Sequence, residues 1–117
     1  MNIILPGDKD YESRPSVQRK SLRINLNENI YGTFVEIGAG QEVARNFYRV
    51  GAASGTIAKS MSAYDKSFSD SIYGKEENGR YVTQNRLDKM LDHEMDLLEK
   101  RISRDKNPDK FFFVYAN

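Results

Sequence analysis

Cysteine and tryptophan are both missing from the 117 residues, and histidine occurs once, at His93. Without a thiol there is no disulfide framework, no thiolate metal site and no cysteine nucleophile. A single imidazole cannot build a multi-histidine metal centre. Long apolar runs are missing too. The longest, Phe111-Phe112-Phe113-Val114-Tyr115-Ala116, has six residues, against the ~18–20 that a membrane span needs. The opening Met1-Asn2-Ile3-Ile4-Leu5-Pro6 has no basic flank and too short an apolar patch for a signal peptide. The expectation is a cytoplasmic protein without a membrane partner.

An excess of one charge is also lacking. Eighteen basic and 17 acidic side chains leave a formal charge of +1. Residues 1–60 carry 8 basic and 6 acidic groups, and residues 61–117 carry 10 and 11. Nucleic-acid binders usually show a basic stripe. The nearest approach, Arg14, Arg19, Lys20 and Arg23, follows Asp8, Asp10 and Glu12 and reads as a solvated arm. Nucleic acid is not an expected partner.

What is present suffices for one modest core, since 38% of residues are hydrophobic. Residues 1–20 hold two prolines among many charges and read as an extended arm. Residues 21–117 read as a single domain. Leu22, Ile24 and Leu26 alternate with polar residues, the period of a half-buried strand. Tyr31 to Ile37, aromatic and β-branched, reads as a second strand. After Gly38-Ala39-Gly40, the spacing of Val43, Ala44, Phe47 and Val50 predicts a helix over about 41–50 ending at Gly51. Residues 56–61 read as a strand, and the alternation of Ser67, Ser69 and Ser71 with Phe68, Asp70 and Ile72 suggests further extended chain. Thr83 is an N-cap for an amphipathic helix over about 84–104, whose stripe is Leu87, Met90, Leu91, Met95, Leu98 and Ile102. Lys110 to Tyr115, apolar on both faces, reads as a central strand. The fold class is therefore α+β or α/β: a small mixed sheet, a short helix and a long amphipathic one.

Chemistry is sparse. The strand–Gly-Ala-Gly–helix unit offers Gly38 and Gly40 for the first two glycines of a dinucleotide fingerprint, but Val43 stands at the third. Val35-Glu36-Ile37-Gly38-Ala39-Gly40 is also similar to the glycine-rich first motif of S-adenosylmethionine-dependent methyltransferases, with Glu42 where that family has another glycine. Gly51 to Ser60 lacks the spacing of a phosphate-binding loop, and His93 lacks the partner four residues on that a zinc helix needs, since Leu97 stands there. His93 and the carboxylates of its helix read as a solvated face. A ligand at the glycine turn would lie against Gly38 and Gly40 at a helix N-terminus. Gln41 and Arg45 would donate to it, and Glu36 or Asp65 would accept from a sugar hydroxyl. Glu42 in the first helical turn opposes an anion there. If an active site were shared with further sequence, Lys59, Tyr64 and Asp65 would be its contributors.

From Lys20 to Asp92 the chain resembles the N-terminal part of a family of longer, uncharacterised bacterial proteins. The resemblance rests on Ser21-Leu22-Arg23-Ile24-Asn25-Leu26-Asn27, Ile30-Tyr31-Gly32-Thr33-Phe34 and Glu36-Ile37-Gly38-Ala39-Gly40-Gln41-Glu42-Val43-Ala44-Arg45. It continues through Ser54-Gly55-Thr56-Ile57-Ala58-Lys59, Met61-Ser62-Ala63-Tyr64-Asp65, Ile72-Tyr73-Gly74 and Met90-Leu91-Asp92-His93-Glu94. Members are sometimes labelled nicotinate-nucleotide adenylyltransferase or TonB-dependent receptor, yet these residues carry no nucleotidyltransferase HxGH pattern and no barrel. The resemblance implies that this is the opening portion of a larger protein, and it transfers no catalytic residue or cofactor.

Two functions follow as expectations. The first is a module that packs with the remainder of a longer polypeptide, another subunit or a second copy. The alternative is a binding half-site for a nucleotide, S-adenosylmethionine or another phosphate-bearing metabolite at the Gly38-Ala39-Gly40 turn.

Overall fold

The computed structural model describes residues 16–38 and 40–117. Residues 1–15 of the expected arm and Ala39 lie outside the described residues. Where description begins, Val17–Asn25 forms a helix, α1, and the side chain of its N-cap, Ser16, accepts from the Arg19 amide at 3.2 Å. The extended reading of Leu22 to Leu26 is thereby corrected. The face that α1 buries is made by Ser21 and Asn25, four residues apart and both polar, so no apolar stripe marked the helix. Asn25 donates to the carbonyls of Phe47 and Gly51, each at 2.9 Å.

The rest of the chain is β1 (Ile30–Val35), α2 (Glu42–Val50), a short turn of 3₁₀ helix at Ala53–Gly55, β2 (Ile57–Met61), α3 (Lys66–Tyr73), α4 (Gln84–Arg101) and β3 (Phe111–Ala116). The strands form one sheet in the order β2-β1-β3, parallel at both pairings. β1 sets Val35 opposite Met61 on one side and Ala116 on the other. The mixed α and β architecture read from the sequence is the one adopted, with strand direction uniform. β3 is apolar on both faces yet lies at an edge, which corrects its expected central place. Its two-sided apolarity comes from having a core on each face of the sheet.

Those cores are separated by the strand alternation at Phe34 and Val35. Phe34 joins Ala44 and Phe47 of α2, with Ile24 of α1 and Phe113 and Tyr115 of β3 packed against them. Its ring centroid stands 5.1 Å from that of Phe47 and 5.4 Å from that of Phe113, the latter edge-on. Such tilted pairs add to the area they bury. On the opposite face Val35 joins Ala63, Tyr73 and Met90, beneath α3 and α4.

α3 corrects a second expectation. The Ser67–Ile72 alternation is helical, because Asp65 caps the first turn by accepting from the Phe68 amide at 3.0 Å. Ser69 and Tyr73, again four apart, form its buried face. α4 begins as expected, with Thr83 accepting from the Arg86 amide at 3.1 Å. Its most buried line is Arg86, Met90, Glu94 and Leu98, half of it charged.

Gly32 holds the β1–β3 pairing close. A Cβ there would run into the carbonyl oxygen and the ring of Phe113. Gly32→Ala should therefore destabilise the fold by about 2 kcal/mol or more through overpacking, read as a lower urea midpoint at unchanged slope.

Candidate functional site

The chain leaves β1 in one direction through α2 to β2, and reaches β3 on the other side through α3 and α4. The strand order thus reverses at β1, and in open parallel sheets such a reversal leaves a crevice beyond the carboxyl ends of the strands. A cavity of about 690 Å³ lies there, within the ~300–1,000 Å³ range of small-molecule sites. Ile37 and Gly38 extend into it from β1, Ala63 and Tyr64 from β2, and Asn117 from β3. Leu87 and Met90 of α4 supply more apolar wall, and Lys66 of α3 and Tyr81 supply polar tips.

On the α2 side of the sheet, just beyond the end of β1 and outside the cavity lining, stands Glu36. This carboxylate has no solvent exposure. It accepts from the amides of Val43 at 3.0 Å and Ala44 at 2.7 Å, and from Asn117 Nδ2 at 3.1 Å. The first amides of a helix have no partner within it. Gln41, in the N-cap position at φ 69°, makes no side-chain cap. Glu36, arriving from the preceding strand, does that work and places its charge where the helix dipole favours it.

The α3–α4 wall of the cavity rests on a buried ionic node. Arg86 donates to Glu76 at 2.9 Å, Ser69 at 2.9 Å, Asp70 at 3.1 Å and the Gly74 carbonyl. Its guanidinium lies over the Tyr81 ring, 4.8 Å from the centroid. Lys89 adds a 2.9 Å bond to Glu76. That bond does most to hold the Glu76 carboxyl below the usual carboxylate range, with Arg86 and Asn85 lowering it further against the pull of desolvation. Nearby, the buried Glu94 accepts from Lys59 at 2.6 Å and from the Tyr73 hydroxyl at 2.7 Å. Burial first, then the bond to Glu94, raises the Tyr73 pKa, so the phenol stays a donor. Charges taken out of water need such partners.

The residues singled out in the sequence are dispersed by this geometry. Gly38 and Tyr64 line the cavity. Glu36 is committed to α2, and Arg45 lies exposed on that helix, 3.6 Å from Glu42. Gly40, at φ +58°, has no atom within 4 Å of a Cβ, so its glycine serves the turn rather than close approach. Lys59 reaches Glu94 instead of the cavity, and Asp65 is spent on capping α3. His93 is exposed, with its ring edge-on to Tyr73 at 5.4 Å.

Sequence reasoning missed Arg86, Glu94 and Asn117. Arg86 and Glu94 share the four-residue spacing of Met90 and Leu98, which could have marked them as inward-facing. Asn117 gave no signal. Among the described residues no cluster of His, Asp and Glu could hold a metal ion. Compared with protein-family models, with curated proteins and with solved structures, the chain matches none.

Two stability experiments check these assignments. Glu36→Ala orphans three donors and should cost about 2–4 kcal/mol, with Glu36→Gln intermediate; chemical denaturation reads both. Because Glu76 is held below its ordinary value of 4.5, the stability it contributes is complete above that pH. It is lost as pH falls through the lower, folded-state pKa. A Glu76→Gln variant should therefore start less stable at pH 7 and lose less than the parent between pH 5 and 2, on the order of a single carboxyl's linkage.

Proposed function

We propose that the chain is a cytoplasmic small-molecule-binding module of bacterial origin whose ligand sits in the crevice at the carboxyl ends of β1 and β3. The observation that carries this reading is the coincidence of a cavity of about 690 Å³ with the reversal of strand order. The nucleotide, S-adenosylmethionine or other metabolite weighed from the sequence would then lie against Gly38, Tyr64 and α4. It would not lie at the start of α2, because the Val43 and Ala44 amides already serve Glu36. The buried charges around the cavity are bonded to one another, which favours binding over proton transfer.

Packing with the remainder of a longer polypeptide, another subunit or a second copy is a second reading, favoured by one feature. Among the described residues β3 has a single pairing partner, and Phe111 at its start is 66% exposed. Unpaired edges of this kind accept further strands. The resemblance to the opening part of longer bacterial proteins agrees with it.

Gly38 supplies the discriminating variant. A Cβ there meets nothing closer than Asn117 at 3.8 Å, so Gly38→Leu should fill the crevice while leaving the fold intact. Thermal unfolding against nucleotides, dinucleotides, S-adenosylmethionine and aromatic carboxylates should show a selective rise. Ligand at a hundred times its Kd adds ~2.7 kcal/mol, or on the order of 10 °C for a domain this size. Loss of that rise in Gly38→Leu supports the binding module. No rise with any compound, together with concentration-dependent self-association abolished by a β3 edge proline, supports the packing module instead.

A further inference from the structure

The side chains around the crevice differ in their charge balance from those elsewhere in the fold. Two cationic side chains, Lys66 and Arg86, and no Asp or Glu line the cavity. Arg86 is neutralised from behind by Asp70 and Glu76. Lys66 has no carboxylate partner among the described residues; its ammonium lies over the Tyr81 ring, 5.1 Å from the centroid. Beside it Tyr64 is 80% exposed. The remaining walls, Ile37, Ala63, Leu87 and Met90, are apolar.

We infer that the crevice is built for a planar, largely apolar molecule carrying a single anionic group, which pairs with Lys66 while its ring enters between Tyr64 and the apolar walls. This rests on the crevice being a ligand site, as proposed above, and narrows what it takes. A polyphosphate carries several charges and needs several donors. Here Lys66 is the one lining cation without a carboxylate partner among the described residues, and the α2 amides that would serve a phosphate are held by Glu36. A monoanion with an aromatic body matches both the charge and the walls. Aromatic residues also suit a ring stacked at a half-exposed mouth.

The test uses the full chain with paired probes of one shape, 2-naphthoate and its neutral isostere 2-naphthamide, alongside ATP, with affinities read by titration. Naphthoate should bind about threefold or more tighter than naphthamide, as expected of a half-exposed ion pair, and the preference should shrink in 1 M salt. Lys66→Met, which keeps an apolar stem, should equalise the two probes without abolishing either. Gly38→Leu should abolish both. Equal affinities for the two probes in the parent chain would overturn the role of Lys66 while leaving the crevice a binding site. ATP binding more tightly than naphthoate, and blocked by Gly38→Leu, would overturn the monoanion class. Should no probe bind, the binding reading itself falls, and this inference with it.

Discussion

A carboxylate without access to water, carried at the end of β1 and held by two donors from α2 and one from the end of β3, is the contact on which the arrangement depends. Glu36 sits one residue beyond β1, takes the first free amides of α2 and receives the Asn117 amide at the end of β3. An unpaired charge at that depth would be prohibitively unfavourable, so β1, α2 and β3 must come together as a set. The helix has no cap of its own at Gln41, which makes the dependence mutual. The backbone ladder runs on through the same place, with the Ile37 amide donating to Asn117 and the Asn117 amide donating to Val35. The parallel sheet is thereby fastened at its carboxyl end, where the crevice opens.

The consequence for chemistry is that the two faces of the sheet differ at this end. Toward α2 the amides that would attract a phosphate are satisfied internally. Toward α3 and α4 the walls are apolar and rest on the Arg86 node, whose guanidinium is matched by two carboxylates, a hydroxyl and a carbonyl. An arginine committed to four hydrogen bonds and set against the rings of Tyr73 and Tyr81 is a rigid support rather than a free recognition group. Under the proposed reading, shape and the Lys66 charge would select the ligand.

Elements marked by apolar spacing were legible in the sequence. β1, α2, β2 and α4 fall within a few residues of where periodicity and caps put them, because Phe34, Phe47, Met90 and Leu98 are both the signal and the core. α1 and α3 were not legible, for one shared reason: their buried faces are Ser21 with Asn25 and Ser69 with Tyr73. Polar residues can be buried when hydrogen-bonded, and hydropathy then carries the wrong sign. The same inversion hid Glu94 and Arg86 within α4. The glycine turn drew attention to the right end of the sheet, but its meaning depended on Glu36, whose partners lie seven, eight and 81 residues away. Contacts of that separation follow from topology, not from local pattern.

Backbone amide exchange at Val43 and Ala44 tests the central role of Glu36 most directly. Amides in the first turn of a helix ordinarily exchange near the rate of frayed chain, since no intrahelical partner protects them. If Glu36 joins β1, α2 and β3 as described, these two should be protected to the level of the core strands. Fast exchange at both, alongside protected Phe47, would contradict the account and return the start of α2 to solvent or to a ligand.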